Sequence, residues 1–223
     1  INQKGHDSWY ILSPFEGNKY SYINDMYNKI EILCNKNGKK YIYAYDIEPD
    51  HTMHELGNDA YEVEKIIKNI NLKVEELSKK IKNTIIFVVA DHGHINVKNI
   101  MLNDYPDIIE CLKRNTSIEP RAVNFFIKDN KKQEFPIIFN KYFKNDFDLY
   151  TKEDIISSKL FGDGKENEVF QDILGDYLAI AKTDKTLLYG GSEVFKSQHA
   201  GYTNDEILVP LIVIDTDKIL NVR

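Results

Sequence analysis

The hydrophobic and polar positions alternate between short apolar runs and longer amphipathic stretches. Tyr41-Ile42-Tyr43-Ala44-Tyr45 reads as a strand ending at an acidic loop. From Ala60 to Lys82 the apolar residues Val63, Ile66, Ile67, Ile70, Val74, Leu77 and Ile81 recur at spacings of three and four. That period predicts an amphipathic helix, with the intervening charged residues as its wet face. Thr84-Ile85-Ile86-Phe87-Val88-Val89-Ala90 follows directly. Such a β-branched, almost continuously apolar run is expected of a strand covered on both faces of a parallel sheet. Strand, helix and strand predict a βαβ unit with a right-handed crossover. The fold class is therefore α/β, a mostly parallel sheet flanked by helices. The last strand is placed at Ile207 to Ile214, with Pro210 marking an edge or a bulge.

Between about Asn96 and Gly190 the pattern changes. It gives a helical piece (Tyr105 to Lys113), a strand (Ala122 to Lys128), a helix (Glu134 to Phe143) and a strand (Tyr177 to Lys182), with an exposed turn at Gly162 to Asn167. This stretch, about 96–190, reads as a smaller α+β insertion packed on the sheet. A chain of 223 residues is otherwise of single-domain size. Trp9, Tyr10 and Phe15 read as local packing.

Composition narrows the function classes. The chain is 42% hydrophobic and 29% charged, as in a globular protein that buries a core. A net charge of −6 argues against broad electrostatic binding of nucleic acid, which needs a basic face. Cys34 and Cys111 lie in no metal-binding or redox spacing, so no disulfide framework is expected. No apolar stretch reaches the length of a membrane span, so no membrane partner is expected. The first residues carry no signal-peptide pattern, which points to a cytoplasmic location. Ile1 in place of Met leaves room for a natural amino terminus upstream.

Candidate chemistry gathers at three places. Asp50 and His54, just past the first strand, are four apart, so a helical turn puts both on one face, where they could grip a divalent ion. Alone, that spacing also fits an Asp cap beside a surface His. Asp91-His92-Gly93-His94 follows the second strand, at the carboxyl end where open α/β sheets bind ligands. Gly93 would supply the backbone freedom to turn the side chains inward. Gln198-His199-Ala200-Gly201 precedes the last strand, and its His gains meaning only from the other two motifs. Carboxylate and imidazole without thiolate suit zinc, manganese or iron better than magnesium. His94 reads as an exposed or otherwise satisfied histidine, with a place beside the metal ligands as the alternative. His6 and His51 read as surface residues, and Arg121 as half of a structural ion pair rather than a phosphate contact.

These motifs, in this order, resemble the alkaline phosphatase superfamily. The wording Glu48-Pro49-Asp50 with His54 and Gly57, then Ala90-Asp91-His92-Gly93, is closest to its type I phosphodiesterase/nucleotide pyrophosphatase branch. The resemblance runs from about Lys40 onward. It implies that Asp50, His54 and His199 hold one zinc and that Asp91 and His92 hold a second. The family completes the second site with an Asp and a Ser or Thr nucleophile from an amino-terminal segment. No apolar strand ending in such an Asp precedes residue 40, and Thr52 is the first Thr in the chain. The expectation is a single, incomplete alkaline phosphatase-like domain over 1–223 whose catalytic nucleophile is not on this chain.

The function expected of the intact protein is metal-dependent hydrolysis of a small phosphate ester or nucleotide-type substrate. It would use two divalent ions, zinc with manganese as the other candidate, and this chain alone would be inactive. A phosphomonoesterase, mutase or phosphonate hydrolase of the same superfamily is the alternative chemistry. A non-catalytic metal-binding module is the alternative class. The Asp50/His54/His199 site should be the better occupied. Loss of the nucleophile-bearing strand should leave a sheet edge open to self-association.

Overall fold

The computed structural model of the protein describes residues 8–15, 23–191 and 194–218. His6 lies outside these described residues. In chain order the elements are β1 (Ser8–Leu12), α1 (Ile23–Cys34), β2 (Lys40–Ala44), α2 (Asp50–Leu56), α3 (Tyr61–Lys80), β3 (Ile85–Val89), β4 (Ile95–Asn96) and β5 (Lys98–Met101). There follow α4 (Pro106–Cys111), β6 (Ser117–Glu119), β7 (Ala122–Phe125), α5 (Phe135–Phe143), β8 (Phe147–Thr151), α6 (Lys152–Ser157) and α7 (Phe170–Ile173). The chain closes with β9 (Tyr177–Ala181), β10 (Lys185–Leu188), β11 (Ser197–Gln198), α8 (Asn204–Ile207) and β12 (Leu211–Asp215). Two compact units result, one from residues 1–52, 59–90 and 210–223, the other from 53–58 and 91–209.

In the first unit β1 and β2 pair in parallel, with Leu12 opposite Ala44. Helix α1 connects them and buries Met26 and Leu33 with Leu12, while Tyr10, Tyr27, Ile30 and Ile42 pack around this group. The long helix α3 occupies nearly the span its period predicts and buries Val63 and Leu77. Glu62 and Glu64 in its first turn and Lys79 and Lys80 in its last match the helix dipole.

Strand β3 also lies where expected, but its pairing and cover differ. It pairs antiparallel with β12, Val89 opposite Leu211 and Ile85 opposite Asp215. Among the described residues, β2 pairs with β1 and β3 with β12, so the two strands flanking α3 are not partners. Ile85, Phe87 and Val89 are more than half exposed, whereas Ile86 and Val88 between them are partly buried. A continuous apolar run records that a strand is apolar on both faces. It does not record which strand lies beside it or in which direction.

The second unit holds a four-stranded antiparallel sheet in the order β6-β7-β9-β8. Strand β9 is covered on both faces: Ala179 and Ala181 face the main core, Leu178 and Ile180 a second cluster with Ile155 and Leu174. Helix α5 presents Phe135, Phe139 and Phe143 at four-residue intervals, all essentially fully buried against Phe125 and Phe147. Each such side chain contributes about 1.5–3 kcal/mol through burial. Strands β5 and β10 pair in parallel, and β4 and β11 pair antiparallel. The sheets of the protein are thus a mixture of parallel and antiparallel pairs and not the mostly parallel arrangement expected.

Candidate metal centre

Helix α2 positions the first two candidates. Asp50 opens it and His54 lies one turn on, so both project from one side. Near its start the Glu48 carboxylate accepts from the Thr52 N–H at 3.2 Å. Its end is fixed by Gly57, whose φ of 89° is left-handed and whose N–H donates to the Met53 carbonyl at 2.8 Å.

The segment after β3 carries Asp91, His92 and His94. Gly93 serves it differently from the turn expected, because its φ is not left-handed. A Cβ there would lie 1.9 Å from the Asp205 carbonyl oxygen, so the glycine is needed for close approach of two backbones. The Gly93 N–H donates to the Glu206 carbonyl at 2.8 Å. His199 follows β11, and Ala200 after it takes a φ of 78°, a conformation a non-glycine residue adopts only where its surroundings impose it.

Those surroundings are anchored by a buried ion pair. Arg121 donates to Glu206 from Nε at 2.6 Å and from Nη2 at 2.7 Å, and both side chains are inaccessible to solvent. Glu206 also accepts from the Gly201 N–H at 2.8 Å and the Thr203 hydroxyl at 2.6 Å. Burial pushes the Glu206 carboxyl up, but the bonds from Arg121, Thr203 and Gly201, with the Arg121 charge, outweigh it and hold the group below its usual range. Arg121 is therefore half of a structural ion pair. One residue, Glu206, grips the loop of His199 with its side chain and the loop of His92 and His94 with its carbonyl.

Four candidates meet. Asp50, His54, His94 and His199 each offer a donor atom within 4.8 Å of the others. Ring centroids are 4.7 Å apart for His54 and His94, 5.3 Å for His54 and His199, and 5.1 Å for His94 and His199. Zinc binds imidazole nitrogen and carboxylate oxygen at about 2.0–2.2 Å, so a single ion would draw these donors closer together than 4.8 Å. Their chemistry fits a divalent cation of zinc type. The His54 Nδ1 lies 3.0 Å from the Ser197 carbonyl. A carbonyl only accepts, so Nδ1 carries the proton and the ring's lone pair is on Nε2.

Asp91 and His92 are not in that four-donor group. The Asp91 carboxylate is 62% exposed and lies 3.7 Å from His92 Nε2. The His92 ring stacks on His199, centroids 3.8 Å apart and planes 22° from parallel. The two lie beside the cluster. His94 is the residue that sequence reasoning underrated. Its place two residues beyond His92 was the available signal, but a lone His beside a turn does not reveal what it faces.

A family model described as type I phosphodiesterase/nucleotide pyrophosphatase matches residues 5–203. No curated protein matches the chain. Among solved structures, the chain is similar to murine ectonucleotide pyrophosphatase/phosphodiesterase 5, at 18% identity and a TM-score of 0.68. The human ectonucleotide pyrophosphatase/phosphodiesterase 5 gives 16% identity and a TM-score of 0.70. An inactive variant of the murine protein in complex with AMP gives 16% and 0.68. Each likeness covers 95% of this chain and 61% of the other. The shared fold is alkaline phosphatase-like, and the chain spans about three fifths of the length of these structures.

Proposed function

The chain belongs to the type I phosphodiesterase/nucleotide pyrophosphatase family, and we propose from that premise that it carries the metal-holding part of a phosphate-ester hydrolase. The observation that carries the reading is the convergence of Asp50, His54, His94 and His199 from three separate segments. Asp50, His54 and His199 would hold one divalent ion, zinc by donor type. Asp91 and His92, beside them, would contribute to a second. Two divalent ions at such a centre supply charge neutralisation for phosphoryl oxygens and lower the pKa of a bound hydroxyl.

The protein's own residues perform the positioning. Ser197 fixes the tautomer of His54. Glu206 and Gly93 hold the two histidine loops in register. Phosphoryl transfer asks mainly for such positioning and charge neutralisation. The complex of the murine protein with AMP supports a nucleotide-type substrate class.

No sequence motif here matches the nucleophile of the family, which supports the further reading that this chain alone holds metal without turnover. That same feature favours the second reading, a metal-binding module without catalysis of its own.

Elemental analysis of the purified chain beside hydrolysis of a chromogenic phosphodiester tests both. About one zinc per chain without turnover supports a metal-holding part that lacks its nucleophile. Turnover would mean that a nucleophile is present among residues given no role here. No metal after zinc is supplied at neutral pH would overturn the centre itself.

A further inference from the structure

We infer that His94 is an additional protein ligand of the Asp50/His54/His199 site, and that Ser197 and Asn58 are positioning residues that hold it in the ligating tautomer. The inference rests on the metal-holding reading above and deepens it.

The hydrogen bonds around His94 determine where its proton sits. The Asn58 side-chain amide donates from Nδ2 to the His94 carbonyl at 2.6 Å. This turns Asn58 Oδ1 toward Ser197, whose hydroxyl lies 2.5 Å from it. An amide oxygen only accepts, so the single proton of the Ser197 hydroxyl goes to Asn58. The Ser197 Oγ is also 2.5 Å from His94 Nδ1. Its proton being committed, Oγ must accept there, and His94 Nδ1 must be the donor. The lone pair of a neutral His94 ring is then on Nε2, as in His54. Ser197 thus sets both rings, His54 through its carbonyl and His94 through its hydroxyl.

The frame is rigid enough to matter. Ser197 is fully buried and lies in β11, paired to Asn96 of β4. The Asn58 N–H donates to the Asn96 side chain at 2.8 Å, and the Lys196 N–H to the His54 carbonyl at 2.9 Å. Partners on the far nitrogen of a ligating histidine fix its orientation and basicity, and their loss costs about 10–100-fold in metal affinity. With His94 the protein offers Asp plus three His, a set that fills the shell of a four-coordinate ion.

The test uses the full chain, its zinc affinity measured by competition with a chromogenic chelator, and the visible spectrum of its Co2+ form, which reports coordination number. His94→Ala and His94→Gln should each weaken zinc and shift the Co2+ bands. Ser197→Ala keeps the carbonyl that orients His54 and removes only the hydroxyl, and should lower affinity about 10–100-fold. Far-ultraviolet circular dichroism checks folding, and the Gln variant serves if the Ala variant does not fold. If both His94 variants match the wild type in affinity and spectrum while His54→Ala loses metal, the inference fails and the proposed centre stands. If His94→Gln weakens binding and Ser197→Ala does not, the positioning role falls. A wild-type chain that takes neither zinc nor cobalt overturns both readings.

Discussion

The Gly93 N–H donates to the carbonyl oxygen of Glu206 at 2.8 Å, and the position a Gly93 Cβ would take is 1.9 Å from the carbonyl oxygen of Asp205, the residue before Glu206. This contact joins the loop of His92 and His94 to the short helix that follows His199. The histidines come from segments over a hundred residues apart, and their spacing is set by backbone against backbone.

Gly93→Ala should therefore move the loop as a whole. A methyl group at that point has no flexible side chain to displace. The cost should be at least about 1–3 kcal/mol, the usual range for overpacking. Urea unfolding measures it, and zinc content should fall in parallel. A variant with wild-type stability and full zinc content would show that the two backbones separate easily.

Glu206→Ala strips the buried Arg121 of its counter-charge. Breaking a buried pair by removing one partner costs about 3–5 kcal/mol. The wild type has a matching pH dependence. The folded-state pKa of Glu206 lies below the ordinary value, so its contribution is fully present above about 4.5 and is lost as the pH falls through the lower folded value. Thermal unfolding from neutral to acid pH should show this loss. Glu206→Gln, which cannot titrate, should flatten that part of the curve, and an unchanged curve would remove Glu206 from the acid response.

His54→Ala should release the metal, since it removes one of three histidines of the centre and the one whose tautomer a backbone carbonyl fixes. Elemental analysis after extensive dialysis gives the answer. Zinc retained at the wild-type level would count against the assignment.

Self-association is expected through the β3–β12 pair. Ile85, Phe87, Val89, Leu211 and Val213 are all more than half exposed, and their register places them on one face. An apolar patch of this kind marks an interaction surface or an aggregation liability. Sedimentation should show mass rising with concentration in the wild type, and Phe87→Lys should suppress it. A monomer at every concentration would sink the expectation.

Much of this was legible in the chain. The three-and-four spacing of apolar residues placed α3, and the helix expected over Glu134 to Phe143 is α5. Strand β1 and helix α1 are not among the elements the pattern predicts, because the apolar run Trp9 to Leu12 is short and reads equally as local packing. Residue type and order marked the three motifs that carry Asp50, His54, Asp91, His92 and His199, but the grouping of Asp50, His54 and His199 at one ion is what the family resemblance implies.

Side-chain type, local period and motif order are properties of short windows and can be read directly along the chain. The sequence by itself could not determine that β3 runs against β12, because strand direction is settled by contacts between distant segments. Nor could it show that Gly93 is required by Asp205, or that Ser197 and Asn58 set the proton on His94. Those depend on atoms within 3 Å that lie up to 139 residues apart, and only the folded chain brings them together.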